Sequence, residues 1–153
     1  MQNKNKMENH LVKLAIEQME NRHGRVEEEH NWGYADIICS TGKKLYVNEG
    51  GRSTLHHDVS LYQDYFKDFY VDKGVVLLEL EDTPIIMYET DSIKIHRDQV
   101  HRFTALREAE IIEFCSPERG EKEIDAGPEG GEILPEKQLN EIWNKYFPNQ
   151  RRL

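Results

Sequence analysis

Apolar and polar residues follow two different periods along the chain, and the change of period divides it. Over 7–21, Met7, Leu11, Leu14, Ala15 and Met19 fall on one helical face while Glu17, Gln18 and Glu20 lie largely elsewhere, which predicts a short amphipathic helix. Residues 22–31 are polar and carry the run Glu27, Glu28, Glu29, the pattern of a solvated connection. After Trp32-Gly33 come short β-rich runs at 35–39, 44–48, 53–57, 68–72, 75–80, 85–88, 92–96, 101–104 and 110–115, with turns at Thr41-Gly42 and Glu49-Gly50-Gly51. Short strands in succession indicate a sandwich or barrel; the absence of helices between them removes the dinucleotide-binding alternative, and no glycine-rich phosphate loop is present. Residues 117–135 are rich in Gly, Glu and Pro and predict a surface loop. Pro135 then opens a helix whose stripe of Leu139, Ile142, Trp143, Tyr146 and Phe147 runs to Pro148.

The expected organisation is therefore an N-terminal helix and acidic linker over 1–31, a barrel over 32–117, and an acidic loop with a C-terminal helix over 118–153. The fold class is mainly β, a single-domain antiparallel β-barrel or jelly roll with flanking helices. A chain of 153 residues with 37% hydrophobic residues suits one domain with a sizeable core. The net charge of -9 opposes binding to nucleic acid or to an acidic membrane. Much of that excess acid falls in 22–31 and 117–136, so an anionic small molecule at the barrel is not excluded. Cys39 and Cys115 sit singly in strand-like sequence, as reduced core residues of a cytoplasmic protein do. The polar N-terminus and the lack of a long apolar run predict neither export nor membrane insertion.

Candidate chemistry gathers in the strand-rich segment. His56, His57, His96 and His101 all lie there, and the two-residue period of a strand puts His56 and Asp58 on one face and His57 on the other. Imidazoles and carboxylates projecting inward from neighbouring strands can converge on one metal ion, and His101 would arrive from a later strand. Arg52 and Lys94 can attract a phosphate or carboxylate, and a lysine desolvated inside a barrel, such as Lys67, is a candidate base or anion anchor. His96 is expected on the rim. The segment 59–66, with Tyr62, Tyr65 and Phe66, predicts an exposed aromatic loop suited to a dimer contact.

From Gly50, the stretch Gly-Gly-Arg-Ser-Thr-Leu-His-His-Asp resembles the first cupin motif, in which a glycine is followed after five residues by histidine, one residue, and a second histidine. Phe69-Tyr70-Val71-Asp72-Lys73-Gly74 resembles the end of that motif. Residues 90–101 keep the spacing of the second motif, with Thr90, His96 and Asp98 where glycine, proline and glycine are usual. Trp32-Gly33-Tyr34, Lys43-Lys44-Leu45-Tyr46-Val47 and Val100-His101-Arg102-Phe103 narrow the likeness to the C-terminal cupin domain of type II mannose-6-phosphate isomerases, often fused to mannose-1-phosphate guanylyltransferases.

The resemblance implies a cytoplasmic, homodimeric sugar-phosphate isomerase of nucleotide-sugar or polysaccharide metabolism, with a small sugar or sugar phosphate as ligand. It implies a divalent metal (zinc, manganese or iron) held by His56, Asp58 and His101, with Asp58 in the place of the second histidine. Lys67 stands where the motif has glutamate and becomes the catalytic acid or base; Arg52 and Lys94 become substrate-binding. Two other readings stand beside this one. A metal-free cupin binding module is favoured by Lys67, because an ammonium does not ligate. An iron-dependent cupin oxygenase is compatible with a His-Asp-His set.

Overall fold

The computed structural model describes residues 26–39, 41–116, 121–123 and 130–152. The helix expected over 7–21 lies outside them. In chain order the elements are β1 (Val26–His30), β2 (Gly33–Cys39), β3 (Gly42–Val47), β4 (Gly51–Arg52), β5 (His56–Asp58), β6 (Phe66–Lys73), β7 (Val76–Leu80), β8 (Thr83–Met87), β9 (Ser92–His96), β10 (His101–Ala105), β11 (Ala109–Ser116), β12 (Glu121–Glu123), β13 (Glu132–Ile133) and α1 (Glu136–Tyr146). They form two antiparallel sheets. One has the order β1-β2-β3-β11-β6-β9; the other runs β12-β5-β10-β4-β13, with β7 pairing β10 and β8 pairing β7.

Each predicted run found its strand, with differences at the margins. The expected strand over 53–57 is split into β4 and β5, and both pair with β10. Residues 26–30, read as a connection, form β1 at the edge of the first sheet, paired with β2 from Val26 opposite Ile37 to His30 opposite Gly33. An edge strand needs only backbone partners on one side, so Glu27 and Glu29 stay in solvent. The acidic segment after residue 117 contributes the short strands β12 and β13 to the second sheet.

The alternation along each strand sorts side chains into an interior and two outer faces. Leu45, Val47, Phe69, Val71, Leu78, Phe103 and Ile111 meet between the sheets in one buried cluster, each fully buried large side chain contributing about 2 kcal/mol. Outside the second sheet, α1 lays Leu139 and Trp143 on Leu77 and Leu106. Trp143 is fixed there by Arg107 over its ring at 4.4 Å and by its Nε1 donating to the Gln150 carbonyl at 2.9 Å. The predicted aromatic stripe is thus spent on packing.

The backbone keeps the motif conformations even where the letters changed. Gly74 has φ +94 between β6 and β7, where a Cβ would run into the Glu108 backbone. Thr90 (φ 74) and Asp98 (φ 68) hold the left-handed conformation at the two places where the second motif has glycine.

Candidate functional site

The inward rows change character along their length. In β3 the inward residues are Val47, Leu45 and Lys43; in β6, Val71, Phe69 and Lys67; in β11, Ile111, Glu113 and Cys115. Each begins in the apolar core and reaches an ionisable side chain at one end of the barrel. There β10 supplies His101 and, directly opposite it, β5 supplies His56, with Asp58 two residues on. The segments 59–65 and 97–99 meet beside this end: Asp98 N donates to the Asp58 carbonyl at 3.3 Å, and Arg97 Nη1 to the Ser60 carbonyl at 3.1 Å.

Lys67 is the hub of the cluster and is 0% exposed. Its Nζ lies 2.9 Å from His101 Nε2, 3.3 Å from Asp58 Oδ1 and 3.2 Å from Glu113 Oε2. Lys43 Nζ approaches the other Glu113 oxygen at 3.7 Å, so two lysines balance two carboxylates in the interior. The histidine tautomers follow from their backbone contacts. His101 Nδ1 is 2.8 Å from the Gln99 carbonyl and His56 Nδ1 is 2.8 Å from the Thr54 carbonyl. A carbonyl only accepts, so each Nδ1 donates, and in the neutral ring the lone pair is left on Nε2. That of His101 accepts from Lys67. His56, its ring 4.3 Å from that of His101, retains 6% exposure, and its Nε2 has no hydrogen-bond partner among the described residues.

Burial dominates the electrostatics. Desolvation, then the Lys67 charge, brings the His101 pKa down to about 3, so the imidazole is neutral at physiological pH. Burial would push Glu113 up, but Lys67 and Lys43 outweigh it and hold the carboxyl well below its usual range. Cys115 is pushed up to about 11, chiefly by burial, and Tyr65, also buried, is raised beside it. Both stay protonated.

Of the sequence candidates, His56, Asp58, Lys67 and His101 come together. Arg52 does not join them: its Nε donates to Thr104 Oγ1 at 2.8 Å, on the sheet face opposite Phe103 and His101. Lys94 is exposed and lies over the Phe66 ring at 4.5 Å, back to back with buried Ile95. Within the expected aromatic loop, Tyr65 is fully buried and Phe66 opens β6; Val59, Leu61 and Tyr62 are the exposed apolar residues. Glu113 and Lys43 were not singled out from the sequence. The signal for them was available, since each is a charged residue at an inward position of an otherwise apolar row.

A divalent ion does not fit this arrangement. Two of the three donors it would use, Asp58 and His101, already face the Lys67 nitrogen, and an ammonium at that place repels a cation. Among the described residues no three His, Cys, Asp or Glu side chains are placed to hold a metal ion.

No family model and no curated protein matches the chain. Solved structures do match in fold. KdgF from Halomonas sp. superposes with a TM-score of 0.54 at 20% identity, covering 65% of this chain and 91% of that one. An RmlC-like cupin from Shewanella frigidimarina gives 0.52 at 14% identity, covering 61% and 84%. A Streptomyces PAC13 variant solved with uridine gives 0.55 at 11% identity, covering 74% and 90%; Pac13 is described as a nucleoside dehydratase. The fold is that of the cupins.

Proposed function

We propose that this chain is a metal-independent cupin that binds a small hydroxylated molecule, a sugar or sugar phosphate, at the end of the barrel where His56 lies, and performs acid–base chemistry on it. The observation that carries this reading is the Lys67 nitrogen, 2.9 Å from His101 Nε2 and beside Asp58 and Glu113, in the place a cupin metal would take. With His101 engaged by Lys67, His56 is the imidazole left to act: its bare Nε2 accepts a hydrogen bond from a ligand hydroxyl or takes a proton from carbon. The sugar-phosphate isomerase expected from the sequence keeps its substrate class here and loses its ion. The oxygenase reading needs that ion and is not retained. A cytoplasmic homodimer, using exposed Leu61 and Tyr62, completes the proposal.

The test is titration calorimetry with mannose 6-phosphate and fructose 6-phosphate, on protein stripped with a chelator and on protein resupplied with zinc, manganese or iron. Equal binding in both is expected, with His56→Gln weakening it about tenfold, the worth of one well-made hydrogen bond. Binding or turnover that appears only with added metal overturns the reading.

A further inference from the structure

We infer that Lys67 and Asp58 become joined by an amide bond, a cross-link that the folded chain makes within itself. The amine and the carboxylate lie 3.3 Å apart, and both side chains are 1% exposed. In water such a pair stays apart because hydration of the two ions outweighs the amide; a closed interior removes that hydration and leaves the neutral, condensed form favoured. The water produced leaves for bulk solvent. The inference stands on the geometry of the cluster, and the His56 Nε2 of the ligand reading above is left in place whether the Lys67 nitrogen is an amine or an amide.

The step balances without a co-reactant. One proton passes from the Lys67 ammonium to Asp58, giving a neutral amine and a neutral carboxylic acid. The nitrogen lone pair attacks the carboxyl carbon, the new C–N bond forms, and the C–OH bond breaks. The hydroxyl departs as water with a second proton from the nitrogen. Glu113 is placed to carry that proton: its Oε2 is 3.2 Å from Nζ, and Lys43 at 3.7 Å from its other oxygen favours its ionised form. His101 Nε2, 2.9 Å away, accepts one N–H and so aims the nitrogen. Asp58 is the acyl donor rather than Glu113, because an ionised carboxylate shared between two lysines is a poor electrophile. Cys115 and Tyr65, the remaining polar neighbours, stay protonated and do not compete.

The product suits its surroundings. One positive and one negative charge disappear together, Lys43 and Glu113 remain paired, and the amide N–H still donates to His101. The link would tie β5 of one sheet to β6 of the other at the end of the barrel where the charges gather.

Intact-mass measurement of the purified full chain, followed by tryptic mapping, tests this. The expected mass is one water below that of the sequence, with Lys67 resistant to trypsin, so that peptide 53–73 appears, short of one water, in place of 53–67. Lys67→Arg is expected to restore the full mass, and Asp58→Asn to lose ammonia in place of water. An unaltered mass with free peptide 53–67 overturns the proposal. So does a water lost while Lys67 remains cleavable, which marks a cyclised aspartate, and so does a peptide joined through Glu113.

Discussion

Replacing His101 with glutamine exchanges a titratable acceptor for a neutral one at the centre of the buried cluster. His101 is 1% exposed and faces Lys67 from β6, Glu113 from β11 and His56 from β5. Its pKa falls from 6.5 to about 3 on folding, through burial first and the Lys67 charge second. The sign follows from proton uptake: between those two values the unfolded chain binds a proton that the folded chain refuses. Stability is therefore complete above pH 6.5 and is lost as pH falls toward 3, at about 1.4 kcal/mol per pH unit. At pH 5 the wild type should have lost about 2 kcal/mol from this residue alone. His101→Gln forfeits the hydrogen bond to the Gln99 carbonyl and some packing, about 1–2 kcal/mol at pH 7, and carries no such acid penalty. Urea unfolding of both proteins at pH 7 and pH 5 checks this: the gap at pH 7 should close near pH 5. A gap of the same size at both values refutes the argument.

Lys67→Met removes the nitrogen that holds Asp58, as ion pair or as amide, leaves Asp58 and Glu113 without it in the interior and should cost at least about 3–5 kcal/mol; a loss below about 1 kcal/mol in urea would show that the lysine does not hold them. Trp143→Ala empties the contact between α1 and the second sheet, with an expected loss of about 3–5 kcal/mol by denaturant midpoint. If the proposed dimer uses this loop, Leu61→Ser should leave stability within about 0.5 kcal/mol and delay size-exclusion elution to the monomer position; an unchanged elution rules this loop out as the contact.

The strands were legible because half-buried sheets write an alternation into the sequence, and rows such as Lys67-Phe69-Val71 and His101-Phe103-Ala105 show it plainly. The same parity would have exposed Glu113 and Lys43 had charged residues at inward positions been followed as closely as histidines. Other features had no local signal. Strand β1 is held by backbone pairing and carries three glutamates, so nothing in its own composition marks it as a strand. Tyr65 is buried because its loop folds back, and side-chain period says nothing about a loop. Thr90 and Asp98 keep glycine-like backbone angles without glycine, which makes the second motif visible only through its spacing. Lys67 stands out in the sequence because it replaces the motif glutamate, but whether it points in or out depends on the register of β6 against β11, a long-range property.

That register carries a consequence for how the chain reaches a single structure. Glu113 sits opposite Lys43 on one side and Phe69 on the other. A slip of one residue along β11 would bring Ile112 or Phe114 inward and send Glu113 to the outer face. Lys43 and Lys67 would then confront each other in the interior with one of their two carboxylates gone, a penalty of several kcal/mol. The buried charges at this end thus act as a proofreader of strand alignment: a misthreaded barrel is penalised at once, before any ligand could reveal the error.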